Sequence, residues 1–313
     1  MRNFWAENTV VVTGADGFLG RHVIAGLQER GASKVYTPGL LDLRERENTE
    51  EIYERFSPNV IIHLAARAGG IMKNFLEPAN MIYDNLKMGM ELIQAGRNTD
   101  TKIVMMGSAC EYPKTAPTPI KEESLWSGYP EETNGAYGVA KRALEAMGRA
   151  YRQQHGTNII HLLSANLYGP GDNFGEGSHV LPATIRRCLE AKDASKDSLT
   201  LWGTGKATRD FLYVKDAVDG ILLAAEHYNE AAPINLGSGH EISIYDAAEK
   251  INLLTGFNGE LFWDVRMPDG QPRRVLATNL AKEKFGFEAK TLFDDGLRET
   301  IPWYQREKLL SAR

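Results

Sequence analysis

The chain has 313 residues, 42% of them hydrophobic and 25% charged, with a formal net charge of -5. That length exceeds what one hydrophobic core usually serves, so one large domain with an appended smaller lobe is expected. The acidic balance argues against nonspecific binding of nucleic acid or of an anionic membrane, and any anionic ligand must be held by a local basic cluster. Two cysteines, Cys110 and Cys188, offer neither a disulfide framework nor CxxC metal spacing. The N-terminal MRNFWAENTVVVTG runs straight into a strand pattern without a signal-peptide core. No apolar run approaches the length of a bilayer span, so a cytoplasmic setting is expected.

In chain order, short apolar runs at 9–13, 34–37, 60–64, 102–106 and 159–163 read as strands. Between them, helical periodicity covers 17–30, 47–56, 78–97 and 134–155. That alternation predicts a Rossmann-like, doubly wound parallel sheet with helices on both faces, and ligands beyond the carboxyl ends of its strands. After residue 163 the pattern loosens into the Gly- and Asn-rich loop NLYGPGDNFGEGSH. A helix at 178–192, a strand at 198–202, a helix at 215–227 and a strand at 233–236 follow, and a helix-rich stretch begins at 242. The expected division is a dinucleotide-binding domain over 1–165 and a mainly substrate-binding lobe over 166–313. A segment near 203–240 is expected to return to the first domain.

The motifs fall at strand ends. VVVTGADGFLGRHV places Gly14, Gly17 and Gly20 between a strand and a helix. Glycines there allow a tight turn and close approach of a pyrophosphate, which the helix N-terminus stabilises. Asp16, Phe18 and Leu19 share that loop. The end of the second strand, where an acid favours NAD and an arginine favours NADP, reads YTPGL and decides neither, although Asp42 and Arg44 follow. NGAYGVAK sets Tyr137 and Lys141 four apart on one helix face, where an ammonium lowers the pKa of a tyrosine and makes it a proton donor. GSACEYP opens at the end of a buried strand, so Ser108 and Cys110 sit where a rigid scaffold presents chemistry. Taken alone, Cys110 reads as a small buried hydrophobe.

Together TGxxGFLG, HLAA (63–66), Ser108 and YxxxK resemble the extended short-chain dehydrogenase/reductase superfamily. ARAGGIMKN, SACEYP, NLYGPGDNF, SHVLPATIRR, LWGTGKATRDFLYV and PDGQPRR resemble its GDP-fucose synthase family over nearly the whole chain. The resemblance implies an epimerase–reductase acting on a GDP-linked 4-keto sugar. Cys110 and His179 would serve as base and acid for inversion at C3 and C5. Tyr137, Ser108 and Lys141 would serve the reduction at C4. Leu64, Ala65, Ala66, Asn166 and Leu167 would join the coenzyme site. Asn166, His179, Val180, Arg187, Trp202, Arg209 and Arg273 would join the substrate site. The resemblance also implies NADP as coenzyme and a homodimer formed through the helices at 78–97 and 134–155.

Three departures qualify these expectations. Asp16 stands where many members carry an arginine, the second strand lacks a 2′-phosphate arginine, and Glu111 replaces an apolar neighbour of Cys110. The first two leave NAD open. SACEYP also resembles GDP-mannose 3,5-epimerases, which bind NAD tightly and perform no net reduction. A 4,6-dehydratase is disfavoured because Ala109 and Cys110 replace the Asp-Glu pair that such enzymes need. A non-catalytic scaffold on the same fold is disfavoured because Ser108, Tyr137 and Lys141 are all present.

Overall fold

The computed structural model describes residues 3–311. A short helix, α1 (Phe4–Glu7), precedes the first strand. It is capped by Asn3, whose side-chain oxygen accepts the Trp5 and Ala6 N–H groups, so the chain does not run straight into a strand. There follow β1 (Thr9–Thr13), α2 (Phe18–Glu29), β2 (Lys34–Tyr36), α3 (Arg46–Phe56), β3 (Val60–His63), α4 (Ile71–Leu76), α5 (Pro78–Gly96), β4 (Lys102–Ser108), α6 (Gly135–His155) and β5 (Ile159–Ser164). The remainder comprises β6 (Asn166–Tyr168), α7 (Val180–Asp193), β7 (Ser198–Trp202), β8 (Thr208–Tyr213), α8 (Val214–His227), β9 (Ile234–Leu236) and β10 (Glu241–Ser243). It ends with α9 (Ile244–Thr255), β11 (Glu260–Asp264), β12 (Arg273–Arg274), α10 (Asn279–Phe285) and α11 (Phe293–Ser311).

Six parallel strands form the main sheet in the order β2-β1-β3-β4-β5-β9. Its central strands are apolar on both faces because helices cover both. Val10 and Val12 alternate with Val11 and reach opposite cores. One core lies under α2, α8 and α10 and the other under α3, α5 and α6. This is the Rossmann-like, doubly wound arrangement that the alternation of periods implied.

The rest of the chain builds a second layer group. β10, β8 and β12 pair in that order, β6 also pairs with β8, and β7 pairs with β11. Only residues from Val214 onward return to the main sheet, as α8 against α2 and β9 beside β5. The preceding β8 stays in the smaller sheet, so the returning segment is shorter than 203–240.

Candidate active site

The site opens at the carboxyl ends of β1, β3, β4 and β5, the side of a parallel sheet where ligands bind. The turn after β1 is tight. Gly14 takes φ +67°, and a Cβ there would lie 2.7 Å from the Ala65 nitrogen. One on Gly20 would lie 2.2 Å from the Gly14 carbonyl oxygen. Side chains are excluded from both places, so the backbone itself forms a cradle. Gly17 caps α2 without a side-chain hydrogen bond, which leaves the first-turn N–H groups available to an anion. The cradle therefore fits a dinucleotide pyrophosphate.

A cleft of about 580 Å³ extends from this turn. Gly14, Asp16, Gly17, Leu64, Ala65 and Ala66 line it, together with Asp42, Arg44, Arg67 and Asp84. Phe18 and Leu19 are not among its walls and pack toward the cores instead. The two arginines are already engaged. Arg44 grips Asp42 at 2.9 and 2.6 Å and reaches Asp84 at 2.9 Å. Arg67 reaches Asp84 at 3.0 Å and Glu77 at 2.5 Å. Hydrogen bonds from Arg44 pull the Asp42 carboxyl down to about 2.

Deeper in the site, β4 ends at Ser108 and the chain makes a single 3₁₀ turn, Ala109–Glu111. The Ser108 hydroxyl accepts the Cys110 N–H at 3.2 Å, and the Glu111 carboxylate accepts the Ser108 N–H at 2.8 Å. Glu111 thus points back toward the sheet and away from the sulfur. The turn rests on α6 because residue 138 is glycine, where a Cβ would lie 2.4 Å from the Cys110 carbonyl oxygen. That contact sets Cys110 against the helix start that carries Tyr137.

Lys141 lies one helical turn further on, only 2% exposed, and donates to the Met106 carbonyl at 2.9 Å. Its Nζ is 6.0 Å from the Tyr137 ring centroid. Burial pulls this ammonium down to about 8, and the Glu111 charge opposes that shift. Burial pushes the Tyr137 phenol above its usual value, and Cys110 and Glu111 add to the effect. The direction is opposite to the depression expected from Lys141, because burial dominates at this phenol. His63, of the HLAA motif, is buried and bonded through Nδ1 to Thr13 Oγ1 at 2.9 Å, which ties the ends of β1 and β3 together.

One residue in the site escaped the sequence reading. Arg274 donates through Nη1 to the Cys110 sulfur and through Nη2 to Asn166 Oδ1, each at 3.1 Å. Asn166 therefore stands by the turn that carries Cys110, and Leu167 follows it on β6. Arg274 is in register with Arg209, because β12 runs parallel to β8. Arg209 is buried and donates to the carbonyls of Thr208, Gln271 and Asp269 at 2.7, 2.6 and 3.2 Å. Burial, and then the Arg274 charge, pulls Arg209 down to about 9.

Arg273, the residue expected here, pairs at the surface with Glu241 at 2.6 Å. Neighbours on a strand face opposite ways, so Arg274 turns to Cys110 and Asn166 while Arg273 turns to Glu241. A strand recognised over PRR would have separated the two.

His179 is the N-cap of α7. Its loop is propped from behind: the Gly70 N–H donates to the Gly177 carbonyl at 3.0 Å, and a Cβ on Gly70 would lie 2.8 Å from the Ser178 oxygen. His179 is open to solvent, yet the protein around its ring, and then the Arg274 charge, draws the imidazole below its usual range. Val180 begins α7. Arg187 on that helix donates to the Thr200 carbonyl of β7, and Trp202 at the end of β7 is 54% exposed. No hydrogen bond ties Arg187 or Trp202 to the Cys110–Arg274 group among the described residues. No cluster of His, Cys, Asp or Glu able to hold a metal ion occurs among the described residues, and no described helix is long and apolar enough to cross a membrane.

Residues 10–237 match the NAD dependent epimerase/dehydratase family. The chain belongs to that family. Its members include close relatives of known name. Probable GDP-L-fucose synthase 1 of Oryza sativa subsp. japonica is 40% identical over 309 residues, covering 97% of this chain and 94% of that one. GDP-L-fucose synthase of Escherichia coli K12 is 31% identical, covering 96% and 97%. Among solved structures, a GDP-6-OMe-4-keto-L-xylo-heptose reductase from C. jejuni superposes with a TM-score of 0.90 at 27% identity, covering 98% of this chain and 99% of that one. A GDP-L-fucose synthetase from Naegleria fowleri bound to NADP superposes with a TM-score of 0.85 at 28% identity, covering 97% and 95%. As an epimerase/dehydratase family member, the chain is a nicotinamide-dependent enzyme, in agreement with its glycine turn and YxxxK pair.

Proposed function

We propose that the protein is an epimerase–reductase of the GDP-L-fucose synthase kind, inverting C3 and C5 of GDP-4-keto-6-deoxymannose and reducing C4. The observation that carries this reading is the Arg274 guanidinium on the Cys110 sulfur, at the start of the helix bearing Tyr137 and Lys141. Protons beside a ketone are acidic, and inversion needs removal on one face and return on the other. Cys110, with Arg274 as counter-charge to its thiolate, removes the proton. His179 returns one from the opposite side, and Arg274 acts on both groups. A bound reduced nicotinamide supplies the hydride. Tyr137 delivers the proton to O4, Ser108 hydrogen-bonds the same oxygen, and Lys141 supplies positive charge behind the phenol. Arg209, Arg187 and Trp202 hold the GDP moiety.

The part up to about residue 165 would bind the coenzyme and the later part the sugar nucleotide. Homodimerisation through α5 and α6 belongs to the same proposal, and α5 leaves Tyr83 and Met90 exposed. Two free cysteines fit a cytoplasmic setting.

The coenzyme preference follows from charge. Asp16 lines the cleft, and Arg44 and Arg67 are already neutralised by three carboxylates, so an unphosphorylated ribose, as in NADH, is favoured over a 2′-phosphate.

The test is incubation with GDP-4-keto-6-deoxymannose in heavy water with NADH or NADPH, following nicotinamide absorbance and product deuteration. Coenzyme oxidation with deuterium at C3 and C5 supports the proposal. Deuteration without coenzyme consumption replaces it with epimerisation lacking net reduction. Absence of both removes it.

A further inference from the structure

Glu111 is a charge that the proposed reaction does not use. It is 0% exposed, directly behind the turn that carries Ser108 and Cys110. Its oxygens lie 3.0 and 3.2 Å from Nε2 of His161, which β5 presents from the neighbouring strand. Gly107 makes the room, since a Cβ there would stand 2.4 Å from both Glu111 Oε1 and His161 Nε2. Nδ1 of His161 has no hydrogen-bond partner among the described residues. Nε2 of His161 is thus committed to the Glu111 carboxylate.

The groups facing this charge come from several elements. α6 contributes Tyr137, Lys141, Arg142 and Glu145, and Glu145 is itself held by Arg149 at 2.8 Å. Arg142 donates to the Glu111 backbone carbonyl and to Gly128 O, and lies over the Trp126 ring. Tyr112 follows on the chain, with its hydroxyl on Asn235. Lys141 donates to the Met106 carbonyl; burial lowers its pKa, and the Glu111 charge opposes that fall.

We infer that Glu111 and His161 form a positioning pair for the proposed site: the carboxylate fixes the Ser108 amide, and with it the turn, and is the counter-charge of the Lys141 ammonium beside Tyr137. This rests on the reading that Ser108, Tyr137 and Lys141 carry the reduction. His161 orients the carboxylate by holding the oxygens from the sheet side.

Glu111→Gln keeps the shape and an acceptor for the Ser108 amide but removes the charge, whereas Glu111→Leu removes both. Without the charge, both Lys141 and Tyr137 lose their protons more readily. The alkaline fall of the C4 reduction rate should therefore move to lower pH in Glu111→Gln, by roughly one unit. The Ser108 amide should keep its hydrogen-exchange protection in Glu111→Gln and lose about tenfold in Glu111→Leu. The exchange measurement needs no substrate, so it reads the pairing even if the wild-type protein turns over no 4-keto sugar. An alkaline limb unmoved in an active, folded Glu111→Gln variant would overturn the electrostatic role. Unchanged Ser108 protection in Glu111→Leu would overturn the pairing itself, and if Glu111→Leu does not fold, His161→Leu is read in its place with the same expectation.

Discussion

Two pairs of arginines flank the site and are held in opposite ways. In the cleft beside the glycine turn, Arg44 and Arg67 share Asp84, and each has a further carboxylate in Asp42 or Glu77. On the other side, Arg209 and Arg274 lie in register on β8 and β12. They donate to main-chain carbonyls, the Asn166 amide oxygen and the Cys110 sulfur, with no carboxylate partner among the described residues. The first pair is neutralised before a ligand arrives. The second keeps its charge in a largely desolvated place, where an anion gains most from it. Counting arginines therefore does not locate an anion site; what matters is whether a carboxylate already occupies each one.

The comparison is broken or sharpened most strongly through the sulfur that Arg274 holds. Cys110→Ser should reduce deuterium incorporation at C3 and C5 by about 10²–10⁴-fold, while reduction of an already inverted 4-keto sugar persists. Equal loss of both steps would remove Cys110 from the inversion. Next, Arg274→Leu should slow alkylation of Cys110 by iodoacetamide about tenfold at neutral pH, because the thiolate loses its counter-charge. Cys188 is buried and does not interfere. An unchanged alkylation rate would mean that the contact does not act on the thiolate.

On the neutralised side, Asp16→Arg should move the ratio of kcat/KM for NADPH over NADH upward by about tenfold, since the added guanidinium is not committed to a neighbour. A ratio that does not rise would place the 2′-hydroxyl elsewhere. The smallest effect belongs to Arg273→Ala, which removes an exposed ion pair with Glu241. Stability should scarcely change and kinetics not at all. A large kinetic loss would return Arg273 to the site.

Much of this was legible from local pattern. Strands of the main sheet are apolar on both faces and end in glycine or polar residues, so β1, β3, β4 and β5 stand out, and even β9 declares its return. The second sheet did not stand out, because β6, β10 and β12 are two or three residues long and exist only by pairing with β8. α4, six residues long, was equally silent.

The candidate site divides the same way. Gly14, Gly17, Gly20 and the Tyr137–Lys141 spacing are consequences of one turn and one helix, so they are legible locally. Which of Arg273 and Arg274 faces Cys110 is not legible locally, because a two-residue strand has no periodicity to read.

By itself, the sequence determined the parallel sheet, its glycine turn and the helix face carrying Tyr137 and Lys141, because each depends on residues within a few positions of one another. Only the tertiary structure decided which arginine meets Cys110, that Glu111 turns to His161, and that Lys141 rests on Met106. Those outcomes depend on which strands and helices, distant along the chain, come to lie side by side, and on which buried polar groups must then satisfy one another.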